Sequence, residues 1–149
     1  MADEGTTLFV CTGNTCRSPL AAVLWEALHP GARVASAGVG AWSGAPAARA
    51  AQQVAREYGA DLSRHRSRHV REVGEAVSRV YVMTQAQAAE VARMRPEWET
   101  RVELLTEAAG EAGDIPDPLG ASIEVYRGLA ERLVALMRKI DASEHGQQP

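Results

Sequence analysis

Cysteine is nearly absent from this chain of 149 residues: Cys11 and Cys16, five positions apart, are the only two. So few cannot staple a small secreted fold, and a close pair near the N-terminus fits a reactive or redox role better. Long apolar runs are missing as well. Nothing approaches the roughly 20 consecutive apolar residues that cross a bilayer, and the opening Met1–Thr6 is acidic where a secretory leader would be basic. A cytoplasmic location with no membrane partner is expected. Nor is there an excess of one charge: 16 Lys and Arg against 19 Asp and Glu leave a formal charge of -3, which offers nucleic acid no bulk attraction. Repeats, low-complexity tracts and linkers are also lacking. With 46% of its residues hydrophobic, the chain can build one core, so residues 1–149 read as a single domain with its core at about 7–140 and a polar tail at 141–149. A monomer is expected.

What is present alternates in type. Thr7–Cys11 is a short apolar strand that stops at the turn-forming Gly13-Asn14. Ser18-Pro19 offers a cap and a proline suited to a first helical position, and Leu20, Val23, Leu24, Ala27 and Leu28 follow at helical spacing until Pro30-Gly31. Arg33–Ala37 is a second strand, Gly38–Pro46 a glycine-bearing loop, and Ala47–Tyr58 a helix closed by Gly59. Val77–Met83 is the third strand, Gln85–Met94 a helix stopped by Pro96, and Arg101–Leu105 a short fourth strand. Glycines and prolines make Thr106–Gly120 a loop, and Ile123, Tyr126, Leu129, Leu133, Leu136, Met137 and Ile140 mark an amphipathic last helix. The pattern predicts an α/β fold: a central four-stranded parallel sheet with helices on both faces.

The chemistry gathers in Cys11-Thr12-Gly13-Asn14-Thr15-Cys16-Arg17-Ser18, where a strand turns into a helix. There, successive backbone N–H groups can curl around a tetrahedral anion, and the helix N-terminus adds about half a positive charge. Such a field favours the thiolate, the nucleophilic form of cysteine, and Arg17 supplies a planar clamp for two phosphate oxygens. The segment from Thr12 to Ser18 is therefore a candidate phosphate-binding loop, with Cys11 as nucleophile. A nucleotide-binding loop would need a lysine that is lacking here. Cys11 as a mere buried strand-end residue is the competing reading; the strand before it, Gly13 within and Ser-Pro after it favour the anion loop.

At this point the sequence resembles the low-molecular-weight protein tyrosine phosphatase family, whose VCXGNXCRSP hallmark is matched by Val10–Pro19. Ser36-Ala37-Gly38, Leu62–Arg68, Met83-Thr84 and Asp117-Pro118 extend the likeness from about Thr7 to Lys139. Thr15 and the run DPLGASIEVYR look most like the bacterial protein arginine phosphatases, which hydrolyse phosphoarginine; protein tyrosine phosphatase activity is the alternative. The resemblance implies Cys11 as nucleophile, Arg17 as oxyanion clamp and Asp117, in a late loop, as general acid and then base. Asp114 is a neighbouring carboxylate that does not match the motif. Ser18, Asn14, Ser36 and His65 are implied as supporting partners, Ser18 also being placed to cap the helix.

Thr15, Leu119 and Trp42 are the candidate specificity residues. Threonine at position 15 resembles the arginine phosphatases, Leu119 stands where relatives carry an aromatic residue, and Trp42 is a candidate for the rim. His65 and His69 have the spacing of half a metal site, but Arg64, Arg66, Arg68 and Arg71 surround them and no third ligand is suitably spaced, so neither metal nor cofactor is expected. Those arginines read as a solvated face. The implied partners are phosphorylated proteins, with inorganic phosphate as product. A thioredoxin-dependent arsenate reductase, which resembles this fold, would need cysteines beyond Cys16. A non-catalytic anion-binding sensor would not need the Cys11 and Asp117 pair. Cys16 is either a disulfide partner for an oxidised Cys11 or a small residue packed under the loop.

Overall fold

The structure, a computed structural model, describes residues 5–146, so the acidic residues 1–4 and the last three of the expected tail lie outside the described residues. Strand β1 (Thr6–Cys11) is buried along its whole length, as a strand covered on both faces must be. It lies between β2 (Val34–Gly38) and β3 (Val77–Val82), and β4 (Val102–Leu104) completes a parallel sheet in the order β2-β1-β3-β4.

Side chains alternate across a strand, so Leu8 and Val10 point into one layer, Phe9 and Cys11 into the other. Val91 of α3 (Gln85–Met94) and two 3-10 turns, Val70–Glu72 and Pro96–Arg101, close the first layer. Helices α1 (Arg17–Leu28), α2 (Arg49–Glu57) and α5 (Ile123–Gly146) close the second with Leu20, Leu24, Val54, Leu133 and Met137. From β1 the chain goes first to β2 on one side and then to β3 on the other. The loop leaving β1 therefore sits at the switch point, where parallel sheets open a crevice at the carboxyl ends of their strands.

Several boundaries differ from the sequence reading because tertiary bonds override local patterns. Helix α1 starts at Arg17, before the Ser18-Pro19 pair expected to start it, and no side chain caps it. Pro19 is its third residue, still in the first turn where a missing N–H costs nothing. The Ser18 hydroxyl faces Cys11 and Asn14 instead of capping the helix. Helix α2 starts at Arg49 rather than Ala47, since the Ala48 N–H is held by the Thr15 carbonyl at 2.9 Å. The strands β2, β3 and β4 each shift by a residue at one or both ends. The 106–120 segment is not wholly a loop: a single turn, α4 (Leu105–Ala108), reaches into it. Nor is 141–146 a frayed tail. Helix α5 continues to Gly146, and the Asp141 carboxylate accepts the His29 Nε2–H at 2.8 Å, tying it to the end of α1.

Phe9, the only phenylalanine, is fully buried, its ring 5.7 Å from that of Trp25 and 5.6 Å from that of Tyr81. Phe9→Ala is expected to lower unfolding stability by about 3–5 kcal/mol, the usual range for emptying an aromatic core site. Trp42→Ala, at a residue 87% exposed, is expected to stay within about 0.5 kcal/mol. Urea titrations of the two variants check this; equal losses would contradict the packing described.

Candidate active site

The loop between β1 and α1 is shaped by what holds its carbonyls. The Cys11 carbonyl accepts the Val39 N–H at 3.0 Å, that of Thr12 the Gly40 N–H at 3.0 Å, and that of Thr15 the Ala48 N–H at 2.9 Å. The Asn14 carbonyl accepts the His65 Nε2–H at 2.7 Å. No peptide among the described residues is cis, and in a trans peptide the N–H points opposite to its carbonyl. Anchoring four carbonyls outward thus turns the N–H groups of Thr12, Gly13, Thr15 and Cys16 inward, as an anion cradle requires. Gly38 permits the close fit: a Cβ there would lie 2.3 Å from the Thr12 carbonyl oxygen.

Asn14 makes the turn. It is the one non-glycine among the described residues with positive φ, at 58°, a conformation asparagine tolerates better than most. Every polar group it has is used. Its N–H donates to Cys11 Sγ at 3.3 Å, its Nδ2 to Ser18 Oγ at 2.8 Å and Ser36 Oγ at 2.9 Å, and its Oδ1 accepts the Arg68 N–H at 3.0 Å. Because Ser18 Oγ accepts from Asn14, its own proton is free for Cys11 Sγ, 3.0 Å away, or for the more distant Ala37 carbonyl at 3.4 Å. The sulfur thus has the Asn14 N–H and the Ser18 hydroxyl within hydrogen-bond distance.

A pocket of about 40 Å³ opens above this sulfur. Cys11, Gly13, Asn14, Thr15, Cys16 and Arg17 form one side, Asp117 and Leu119 the other. Arg17 is buried; its NH1 donates to the Ile115 carbonyl at 2.8 Å, and its NH2 stands 3.8 Å from Asp117 Oδ2. Asp117 is half exposed, and its Oδ1 accepts the Leu119 N–H at 3.0 Å. Asp114 is elsewhere: its Oδ1 accepts the Gln85 N–H at 3.0 Å. A larger cavity of about 330 Å³, between α1 and β2, contains no cysteine but is lined by Ser36, His65 and Arg68, which hold Asn14 from behind. Both cysteines are free thiols. Burial pushes the Cys16 thiol up, against the contact with the Tyr126 hydroxyl at 3.3 Å, so Cys16 stays protonated at neutral pH.

The description "low molecular weight phosphotyrosine protein phosphatase" matches residues 6–145. The chain belongs to that family. A protein-arginine-phosphatase of Geobacillus stearothermophilus is 38% identical over 89% of this chain and 91% of its own length. A probable low molecular weight protein-tyrosine-phosphatase, EpsP, of Ralstonia nicotianae is 39% identical over 92% of each. Among solved structures, the YwlE arginine phosphatase of Geobacillus stearothermophilus superposes with a TM-score of 0.84 at 36% identity, covering 97% of this chain and 95% of that one.

Within this family fold, the expected site residues divide into three groups. Cys11, Thr15, Arg17, Asp117 and Leu119 meet in the pocket, while Ser18, Ser36 and His65 stand behind it around Asn14. Trp42 does neither: it is not among the pocket's lining residues and its side chain is exposed. His65 and His69 do not converge, since His69 Nδ1 accepts the Arg71 N–H, and no group of three ligating side chains exists among the described residues. Arg68 is more than part of a solvated face, because its guanidinium also binds the Ser36 carbonyl and Glu75. Sequence reasoning missed Gln87, Ile115 and Tyr126. Thr84-x-x-Gln87 has the spacing of a capping box and Tyr126 falls on the apolar face of the last helix, but neither pattern points to the loop, which these residues reach through the packing of β3, the late loop and α5.

Burial holds the His65 imidazole below its usual range; the bond to Asn14 opposes this, and Arg66 and Arg68 add to it. A lowered folded-state value means that the unfolded chain binds the proton more readily. The contribution is complete above about pH 6.5 and is lost as pH falls through the folded-state value. His65→Gln keeps an N–H donor but cannot titrate. It is expected to melt below wild type at about pH 7.5 and to close that gap by about pH 5; a gap independent of pH would remove His65 as its source.

Proposed function

We propose that the chain is a cysteine-dependent protein phosphatase that hydrolyses phosphoarginine in proteins through a thiophosphate intermediate, with no metal or cofactor. The reading rests above all on one observation: Cys11, Arg17 and Asp117, with a rim of inward N–H groups, face a single small pocket. The Cys11 thiolate attacks phosphorus in line as the P–N bond breaks. Arg17 and the loop N–H groups hold the equatorial oxygens, and Asp117 delivers a proton to the departing guanidine nitrogen. Asp117, now a carboxylate, takes a proton from the water that attacks the thiophosphate. The P–S bond breaks, Ser18 and the Asn14 N–H stabilise the returning thiolate, and inorganic phosphate leaves.

Phosphoarginine is favoured over phosphotyrosine by Thr15, which lines the pocket together with Asp117, so that a guanidinium there would find polar partners. Leu119, 67% exposed on the opposite side, gives a phenyl ring no aromatic surface to stack on. Phosphotyrosine is the second reading, supported by the similarity to the Ralstonia relative. Phosphorylated proteins are then the partners of a monomeric enzyme. A cytoplasmic location agrees with the observation that no helix among the described residues is long and apolar enough to cross a membrane. Cys16, in the same loop, is the sole thiol available to trap an oxidised Cys11 as a disulfide that a thiol reductant reopens.

Cys11→Ser is expected to abolish turnover while leaving the fold intact, and Asp117→Asn to slow phosphoenzyme formation by about 100- to 10,000-fold. The Asp117 loss should be larger for poor leaving groups; residual turnover in Cys11→Ser, or a loss independent of the leaving group, would count against these roles. Turnover of phosphoarginine and phosphotyrosine substrates side by side decides the substrate. Thr15→Ile, which removes the hydroxyl and lengthens the side chain, is expected to shift the activity ratio toward phosphotyrosine, and an unchanged ratio would argue against phosphoarginine.

A further inference from the structure

One short stretch, where β3 runs into α3, grips both halves of the site. Toward the nucleophile loop, buried Gln87 donates from Nε2 to Thr12 Oγ1 at 3.1 Å. Its Oε1 meanwhile accepts the N–H groups of Met83 and Thr84, both at 3.0 Å, so the side chain cannot turn away without unsatisfying the start of α3. Toward the acid-bearing loop, the Met83 carbonyl accepts the Ile115 N–H at 2.9 Å, and the Gln85 N–H donates to Asp114 Oδ1 at 3.0 Å. Ile115 is buried and passes the constraint on, since its carbonyl accepts from Arg17. Beyond it, the exposed Pro116 and Asp117 carry the acid forward from that fixed point.

We infer that the Met83–Gln87 junction is the gauge that sets the general acid's distance from the nucleophile, with Asp114 as a positioning residue for Asp117 and Gln87 as a positioning residue for the Cys11 loop. The inference rests on the phosphatase reading above. Asp114 bonds from an exposed side chain at the root of the acid loop, so its removal frees the loop without emptying the core. An acid displaced by about 1 Å can lose on the order of tenfold or more in rate. The loss falls on substrates whose leaving group needs the proton. Gln87, acting through the nucleophile loop, affects every substrate alike.

The test uses kcat/KM for two aryl esters, p-nitrophenyl phosphate with a good leaving group and phenyl phosphate with a poor one. Asp114→Ala is expected to lose about tenfold on phenyl phosphate and no more than about twofold on the nitrophenyl ester. Asp114→Asn, which keeps an acceptor oxygen for Gln85, is expected to restore the phenyl phosphate rate, and Gln87→Met to lower both rates by a similar factor. Thermal melts accompany each variant. A loss in Asp114→Ala that is equal on the two esters, or no rescue by Asp114→Asn, overturns the inference. Wild type inactive on both esters and on phosphoarginine overturns the phosphatase reading itself, and activity on phosphoarginine alone moves the Asp114→Ala comparison to that substrate. A leaving-group-dependent loss in Asp117→Asn without one in Asp114→Ala removes only the gauge.

Discussion

The site hangs on one side chain held in an unusual backbone conformation. Asn14 turns the chain with φ of 58°, and the turn aims its own N–H at the Cys11 sulfur while its amide ties Ser18, Ser36 and Arg68 together. A left-handed residue costs energy unless its surroundings fix it, and here they do on every side. The approach of its N–H to the sulfur and the hold on the Ser18 hydroxyl beside that sulfur both follow from the turn. In turn the turn depends on β2 and on the segment around His65, which supply the bonding partners. The surrounding fold is thus needed to keep a short loop in a shape it would not keep alone.

How much of this could be read in the chain depends on how local each constraint is. The strand, the loop and α1 lie in one stretch, so the parallel sheet and the placing of Cys11 near Arg17 were legible from spacing and alternation, whereas the strand order β2-β1-β3-β4 was not. Asp117 was separable from Asp114 only by motif context; in the structure Asp117 lines the pocket with Cys11 and Arg17, and Asp114 does not. Ser18 shows the limit of local patterns. Ser-Pro has the form of a helix start, yet the hydroxyl is claimed by Cys11 and Asn14. Gln87 carries a local signal only for capping α3, in Thr84-x-x-Gln87; its bond to Thr12 spans 75 positions and left none. Likewise Asp141 looked like tail until His29 was seen 2.8 Å from it.

The two cysteines show how five positions can separate two chemistries. Cys11 sits where donors point, with Asn14 N–H and Ser18 Oγ within 3.3 Å of its sulfur. Cys16 also borders the pocket, but its sulfur lies 3.3 Å from the Tyr126 hydroxyl of α5, and burial keeps it a thiol. A single loop therefore gives its two sulfurs different surroundings.

The partners of Asn14 have a consequence for ionic strength. Apart from the sulfur, they are hydroxyls, a backbone N–H and an imidazole that burial keeps neutral. Hydrogen bonds among neutral groups are scarcely screened, whereas attraction of a phosphoryl dianion to Arg17 across an open pocket weakens as the Debye length shrinks. Added salt should therefore act on how strongly the loop attracts its substrate and leave its shape alone, so that architecture and affinity respond to the medium separately.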